Sequence, residues 1–582
     1  LKGAASMPPP EGGGPEGPSE QVLEAQELIH TGRLVPVYPL TEGLSPKTVR
    51  RLAKHALEAC AHALPDPLPS DLRRRLSLPP LAEALGQVHF PDSYERAEEA
   101  RRRLALDELL AIQLGVLGRR RRWQQSQAPT ITPSQDVLEG FLRSLPFPLT
   151  RAQKRVLEEI MADLAESWPM SRLLQGEVGS GKTVVAAGAL LAAVASGYQG
   201  AIMAPTEVLA EQHYRTFSQI FGGDGLWVEL PYLGRPLRVA LLIGGLPEKA
   251  KEQVRQALLQ GQVDIAVGTH ALIQEAVLLP RLALVVVDEQ HRFGVAQRAA
   301  LREKGTFPHL LVMTATPIPR TLALTLYGDL DLSVLDEMPP GRRPIKTVVA
   351  SPQERDEAYQ FVRDEVRKGR QAYIICPLVE ESEQVAARAA VQEFQRLREH
   401  VFPDLRLGLL HGRVGSREKV RVMRLFKEGK LDILVSTPVV EVGIDVPNAS
   451  VMLIEGADRF GLAQLHQFRG RVGRGPYPSY CLLLAENPSQ EAQRRLSIVE
   501  ETQDGFQLAE EDLRLRGPGE YLGTRQSGLP SLKAARLSDI ELMELARREA
   551  LRMLQEDPEL AQAPLLARQA APLWEPPFLE AG

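Results

Sequence analysis

The stretch Leu173-Leu174-Gln175-Gly176-Glu177-Val178-Gly179-Ser180-Gly181-Lys182-Thr183 decides how the rest of this chain is read. It is a short apolar strand running into GxxxxGKT, the spacing of a phosphate-binding loop. Gly176, Gly179 and Gly181 let backbone N–H groups turn inward around phosphate. Lys182 supplies a point charge to the outer phosphates, and Thr183 a hydroxyl for Mg²⁺. The apolar run Val184–Ala195 predicts a helix whose positive end faces the same phosphates. An ordinary glycine turn is the plain alternative, and it explains neither the strand before nor the helix after.

Working outward, short apolar strands alternate with helical stretches from about Thr150 to Pro340. The predicted strands are Leu173–Gln175, Ala201–Ala204, Val239–Ile243, Asp264–Gly268, Leu282–Asp288 and Leu310–Thr314. The rhythm predicts a parallel sheet covered on both faces. It resumes with Ala372–Pro377, Leu405–Leu410, Asp432–Ser436, Val451–Glu455 and Ser479–Leu484, without a second phosphate loop. The fold class is therefore α/β, with two similar parallel-sheet domains of which the first holds nucleotide. Residues 1–20 are Pro/Gly/Glu-rich and read as disordered. Val22–Arg122 reads as mostly helical, with one long amphipathic helix over Arg96–Leu117. Ala128–Pro148, with Pro133, Pro146 and Pro148, reads as a linker. After about Pro488 the chain is again helical.

The chain has 582 residues, enough for about three or four domains. Hydrophobic residues make up 44% and charged residues 25%, the balance of a chain with ample core. No apolar run is long enough to span a bilayer. The start, Leu1-Lys2-Gly3, has neither Met nor an apolar leader, so the expectation is a fragment or processed chain without a signal peptide. Cys60, Cys376 and Cys481 lack CxxC spacing, which argues against a cysteine zinc site and fits a reducing cytoplasm. The net charge of −5 gives no support for a globally basic surface. Two local clusters stand out, Arg101-Arg102-Arg103 and Arg119-Arg120-Arg121-Arg122-Trp123. Each reads equally as a phosphate-facing patch or as a solvated helix face.

Leu284-Val285-Val286-Val287-Asp288-Glu289-Gln290-His291 is a buried strand ending in two carboxylates. At the carboxyl end of a parallel sheet they face the ligand crevice. Asp288 is placed to hold Mg²⁺ and Glu289 to orient and activate water. Thr314-Ala315-Thr316-Pro317 ends the next strand, with hydroxyls able to bridge the nucleotide site to a second surface. In the second α/β domain, Gln467-Phe468-Arg469-Gly470-Arg471-Val472-Gly473-Arg474 places two arginines three apart, on one face if helical. An arginine brought to a γ-phosphate from another domain stabilises transition-state charge.

Together these elements resemble the superfamily 2 helicases and translocases, with two RecA-like motor domains in tandem, a helical N-terminal linker and a C-terminal helical hairpin region. The resemblance implies ATP as the nucleotide, with Mg²⁺. Phe147, Leu149, Thr150 and Gln153 resemble the adenine-reading segment. Thr206 in Ala204-Pro205-Thr206-Glu207, Thr269 and His270, and Arg413 in His411-Gly412-Arg413 resemble strand-contacting motifs. Ser436–Asp445 looks like the motif touching both partners, with Thr437 and Glu441 toward DNA and Gly443 and Asp445 toward ATP. Thr314 and Thr316 join the coupling set. Lys182, Asp288, Glu289, Gln467, Arg471 and Arg474 are the implied catalytic residues.

A narrower resemblance, to the RecG family, rests on Asp512–Gly528. There the family's hairpin and loop couple motor closure to stepping along duplex DNA. Arg514, Arg516, Arg525 and Gln526 would supply its contacts. Leu34–Pro39 resembles the tail of the family's wedge region, and Val88-His89-Phe90-Pro91 the linker after it. The wedge that splits a fork would precede Leu34, and residues 1–33 are too few and too polar to form one. The expected domains are 1–33, a remnant; 34–130, a helical linker; 131–345 and 346–490, the two motor domains; and 491–582, the hairpin region and C-terminal helices. The implied activity is ATP-dependent translocation on double-stranded DNA that remodels forks and Holliday junctions. The implied partners are branched and double-stranded DNA, with single-stranded DNA-binding protein as a candidate. The implied state is a monomer in the bacterial cytoplasm, at the nucleoid. The rivals are a translocase like the transcription-repair coupling factor Mfd, a junction-binding scaffold switched by ATP, and an RNA helicase.

Overall fold

The computed structural model describes residues 34–39, 43–222, 227–274, 276–289, 307–316, 330–339, 344–377, 383–438, 446–516, 532–536 and 538–574. The chain divides into two compact units, Leu1–Gly115 with Ser531–Pro572, and Val116–Pro530 with Leu573–Gly582.

The first unit is helical among its described residues. The helix expected over Arg96–Leu117 runs Tyr94–Gln124, its first part in this unit. The Glu108 carboxylate accepts the backbone N–H groups of Lys533, Ala534 and Ala535 and so pins the returning C-terminal segment. Arg103 is fully buried, donating to Asp66 Oδ1 at 2.7 Å, to Asp107 and to the Pro79 carbonyl. Burial raises the Asp107 carboxyl to about 6, against the pull of Arg103. Arg101 bridges Glu98 and Asp539. Both readings of this cluster are thus corrected: Arg102 is exposed, but its neighbours are internal ties. A buried guanidinium requires carboxylate partners, and here each arginine takes one from its own helix and one from far off in sequence. In the second cluster, Arg120 donates to both oxygens of Asp331 at 2.8 Å.

The second unit holds two sheets. The first contains β1 (Ser171–Gly176), β2 (Gln199–Met203), β3 (Trp227–Leu230), β4 (Arg235–Leu242), β5 (Ile265–Gly268), β6 (Leu282–Asp288), β7 (His309–Thr314) and β8 (Asp331–Leu335). Their order is β3-β4-β5-β2-β6-β7-β1-β8, parallel except for β3 against β4. The second contains β9 (Ile345–Ala350), β10 (Gln371–Ile375), β11 (Leu407–Leu410), β12 (Ile433–Ser436), β13 (Ala449–Ile454) and β14 (Ser479–Leu484), in the order β11-β12-β10-β13-β14-β9 and wholly parallel.

Every strand predicted from the sequence is present. Three were not foreseen: β3, β8 and β9. All three lie at sheet edges, and the burial of β8 and β9 is broken, so they lack the continuous apolar run of a central parallel strand. The linker expected over Ala128–Pro148 contains a helix, Gln135–Ser144. Its Val137 and Phe141 are buried in the core of the first lobe. Pro133 and Pro146 flank this helix rather than interrupt it, which is how a proline-marked stretch can still be helical. The helix Lys182–Ala195 is apolar on nearly all sides and almost wholly buried, as a helix inside a large α/β domain must be.

Candidate nucleotide site and interlobe contacts

The site begins where β1 ends. Gly179 and Gly181 both take left-handed backbone angles, φ 87° and 88°, which L side chains adopt only with strain. A Cβ at Gly181 would also meet Gln153 Nε2 at 2.2 Å. Lys182 opens the helix and donates to the carbonyls of Gly176 (2.7 Å) and Glu177 (2.9 Å). Burial pulls its ammonium below the ordinary range; Glu289 and Asp288 oppose this and Arg474 assists it. Thr183 follows, partly exposed at the helix N-terminus. This glycine loop, lysine and helix start fit a triphosphate. Among the described residues no group of three or more His, Cys, Asp or Glu could hold a metal alone. Thr183 and Asp288 are the residues that would hold Mg²⁺, which would offset phosphate charge.

Gln153 does two jobs. Its Oε1 accepts the Thr150 N–H at 2.9 Å in a capping box that starts the helix Arg151–Leu164. Its Nε2 donates to the Ser180 carbonyl at 2.8 Å, inside the phosphate loop. Phe147 is 45% exposed.

Asp288 closes β6, and its Oδ2 lies 2.7 Å from His213 Nε2. Burial pushes this carboxyl up, but His213 and Lys182 outweigh it and hold it below the usual range. Glu289 takes a left-handed backbone, φ 53°, rare for a residue with a Cβ and common where strain serves a site. Burial and the neighbouring Asp288 raise its carboxyl to about 7, against the pull of Lys182 and Arg471.

Across the cleft, Gln467 Nε2 donates to Thr316 Oγ1 at 2.9 Å, a direct bond between the lobes. Thr314 is buried, and its Oγ1 accepts the Thr316 N–H. The expectation of a helical face for Arg471 and Arg474 is corrected: the helix is Leu462–Arg469, and both arginines lie in the turn after it. Gly470 caps the helix and Gly473, with φ 83°, carries the turn. The charge of Arg471 still reaches Glu289, and that of Arg474 reaches Lys182. Arg469, just before them in sequence, is buried and donates to the Val499 and Thr502 carbonyls, so it holds the lobe together.

The residues read as DNA-facing are dispersed. Thr206 caps the helix Glu207–Ile220 through the Leu209 N–H. Thr269 and Thr437 follow β5 and β12; their hydroxyls are buried and without a hydrogen-bond partner among the described residues. His270 and Arg413 are exposed. Arg514 is exposed and paired with Glu511, and Arg516 ends its helix. Glu441, Gly443, Asp445, Arg525 and Gln526 lie outside the described residues. His213, Glu177 and His466 went unforeseen, since nothing local in the sequence marks a histidine or glutamate whose partner lies far along the chain.

Two parallel-sheet lobes in tandem, with a phosphate loop on one and arginines from the other at its carboxylates, define the class: a superfamily 2 helicase motor. Family models agree. A DEAD/DEAH box helicase model matches residues 150–325, a helicase conserved C-terminal domain 355–476, and the C-terminal part of domain 3 of ATP-dependent DNA helicase RecG 502–573. The ATP-dependent DNA helicase RecG of Synechocystis is 52% identical over 94% of this chain and 65% of its own length. That of Bacillus subtilis is 48% identical over 92% of this chain and 78% of its own. A structure of RecG bound to a three-way DNA junction superposes with a TM-score of 0.72 at 43% identity, over 88% of this chain and 66% of that one. The chain belongs to the ATP-dependent DNA helicase RecG family. It spans about two thirds of the length of some of these relatives.

Proposed function

We propose that this chain is an ATP-driven motor that moves on double-stranded DNA and, in the intact protein, remodels forks and Holliday junctions. ATP binds along Gly176–Thr183, with Phe147 and Gln153 at the base and Mg²⁺ at Thr183 and Asp288. Glu289 takes the proton of the attacking water. Arg471 and Arg474 offset the charge that develops on the transferred phosphate. Thr206, Thr269, His270, Arg413 and Thr437 follow the DNA strand, and the 512–528 segment, with Arg514, Arg516, Arg525 and Gln526, transmits closure to the duplex.

The observation that carries this reading is the Gln467–Thr316 bond, together with the charge of Arg471 at Glu289. Hydrolysis that depends on groups from both lobes depends on how the lobes close. A pure ATP switch needs neither a water-activating carboxylate nor arginines from a second lobe. DNA contact goes mainly to phosphate, so binding is salt-sensitive and largely blind to sequence. The motor works as a monomer in the bacterial cytoplasm at the nucleoid, with single-stranded DNA-binding protein as a partner. Among the described residues no helix is long and apolar enough to cross a membrane. The test is steady-state ATPase with no DNA, linear duplex and forked DNA. Strong stimulation by duplex is expected, and turnover indifferent to DNA would overturn the motor.

A further inference from the structure

The phosphate loop makes a third contact, separate from the nucleotide and from the arginine turn. The side chain of Glu177 reaches the segment after the second lobe's last strand. Its Oε1 accepts the backbone N–H of Gly505 at 2.8 Å and lies 3.6 Å from His466 Nε2. Gly505 is the first residue of the helix Gly505–Arg516, whose last turn begins the 512–528 segment assigned to DNA stepping. The far part of that helix is also held: Asp512 is buried, and its Oδ1 accepts the Leu462 N–H at the start of the helix that precedes the arginine turn. The backbone of Glu177 meanwhile faces the nucleotide site, since its carbonyl accepts from Lys182 Nζ at 2.9 Å. One residue therefore binds the catalytic ammonium through its carbonyl and the start of the 505–516 helix through its carboxylate.

We propose that Glu177 is a positioning residue that ties the phosphate loop to the helix Gly505–Arg516, so that filling the nucleotide site resets that helix directly. This rests on the reading of Gly176–Thr183 as the triphosphate site. A phosphate that draws Lys182 Nζ to itself removes a donor from the Glu177 carbonyl. The Glu177 peptide then turns, and its carboxylate carries the Gly505 N–H with it. The fit around Gly505 leaves no slack. A Cβ there would meet His466 Nε2 at 2.5 Å and Glu177 Oε1 at 2.9 Å, which explains glycine at a helix start where Asp504 already caps the Phe506 N–H.

The test is amide hydrogen exchange of residues 506–516 in the full chain, with and without saturating ADP–beryllofluoride, alongside the stimulation of ATPase by duplex DNA. In the unaltered chain, nucleotide should change exchange in this helix several-fold. Glu177→Ala removes the acceptor, and Gly505→Ala wedges the junction open while leaving the phosphate loop's own groups in place. Both should abolish the nucleotide response and lower DNA stimulation about tenfold. Glu177→Gln keeps an acceptor for the Gly505 N–H and should retain most of the response. A structural cap alone would slow or speed exchange equally with and without nucleotide, and that result overturns the proposal. So does a full nucleotide response in Gly505→Ala. If the unaltered chain neither binds nor hydrolyses ATP, the motor reading falls first and this inference with it.

Discussion

The two lobes of the motor share one strand order, yet among the described residues only the first carries a phosphate-type glycine loop. Set side by side, β4-β5-β2-β6-β7-β1 matches β11-β12-β10-β13-β14-β9 strand for strand. After β1 comes the glycine loop, with Lys182 at the start of its helix. After the matching β9 comes Ser351-Pro352-Gln353-Glu354, then the helix Arg355–Arg367. There the Glu354 carboxylate folds back to accept the Ser351 N–H and hydroxyl, both at 2.8 Å. The end that offers bare N–H groups to phosphate in the first lobe is filled in the second by the chain's own carboxylate. The same holds two strands over. Asp288 and Glu289 end β6 beside Lys182, while Glu455 follows β13 and is held by Arg355 (3.1 Å) and the Tyr359 hydroxyl (2.5 Å). A common scaffold thus gathers Lys182, Asp288 and Glu289 at one site in the first lobe and locks the corresponding carboxylate to Arg355 and Tyr359 in the second.

The strongest way to break this comparison is a matched pair of substitutions. Lys182→Ala should cut DNA-stimulated ATPase about 100- to 1,000-fold, the usual loss for one pre-placed charge donor. Arg355→Ala should leave that rate unchanged but cost about 1–3 kcal/mol of stability in chemical denaturation, because buried Glu455 loses a partner. Equal effects on ATPase would erase the distinction. The pH profile sharpens it further. Glu289 is raised to about 7, and its base form is the deprotonated one. kcat/KM should therefore be flat above pH 7 and fall about tenfold per unit below it; Glu289→Gln should abolish that limb. Gln467→Ala, which removes the bond to Thr316, should lower the DNA-stimulated rate about tenfold with little change in nucleotide affinity. The smallest effect is expected at Ser351→Ala, about 0.5–1 kcal/mol of stability from the lost cap and no change in hydrolysis.

The central strands and the phosphate loop were legible because their signals are local. A buried parallel strand must be apolar along its length, and a phosphate cradle must have glycine at the residues that turn left-handed. The edge strands β8 and β9 were not legible, since half their surface faces away from the core and their pattern is mixed. The arginine clusters misled for a related reason: a run of arginines looks the same whether it meets solvent or distant carboxylates. Arg471 and Arg474 read as sharing a helical face, but the helix ends at Arg469, because Gly470 and Gly473 direct the chain into a turn.

By itself, then, the sequence determined the α/β class, the pair of parallel-sheet lobes and the glycine loop of the first, since each is written in contiguous residues under backbone and burial constraints. Only the tertiary structure decided which charges meet: His213 with Asp288, Gln467 with Thr316, and Glu177 with Gly505. Those pairings span 75, 151 and 328 residues. Electrostatic and hydrogen-bond energies fall off with distance in space, not along the chain, so nothing local in the sequence could have revealed them.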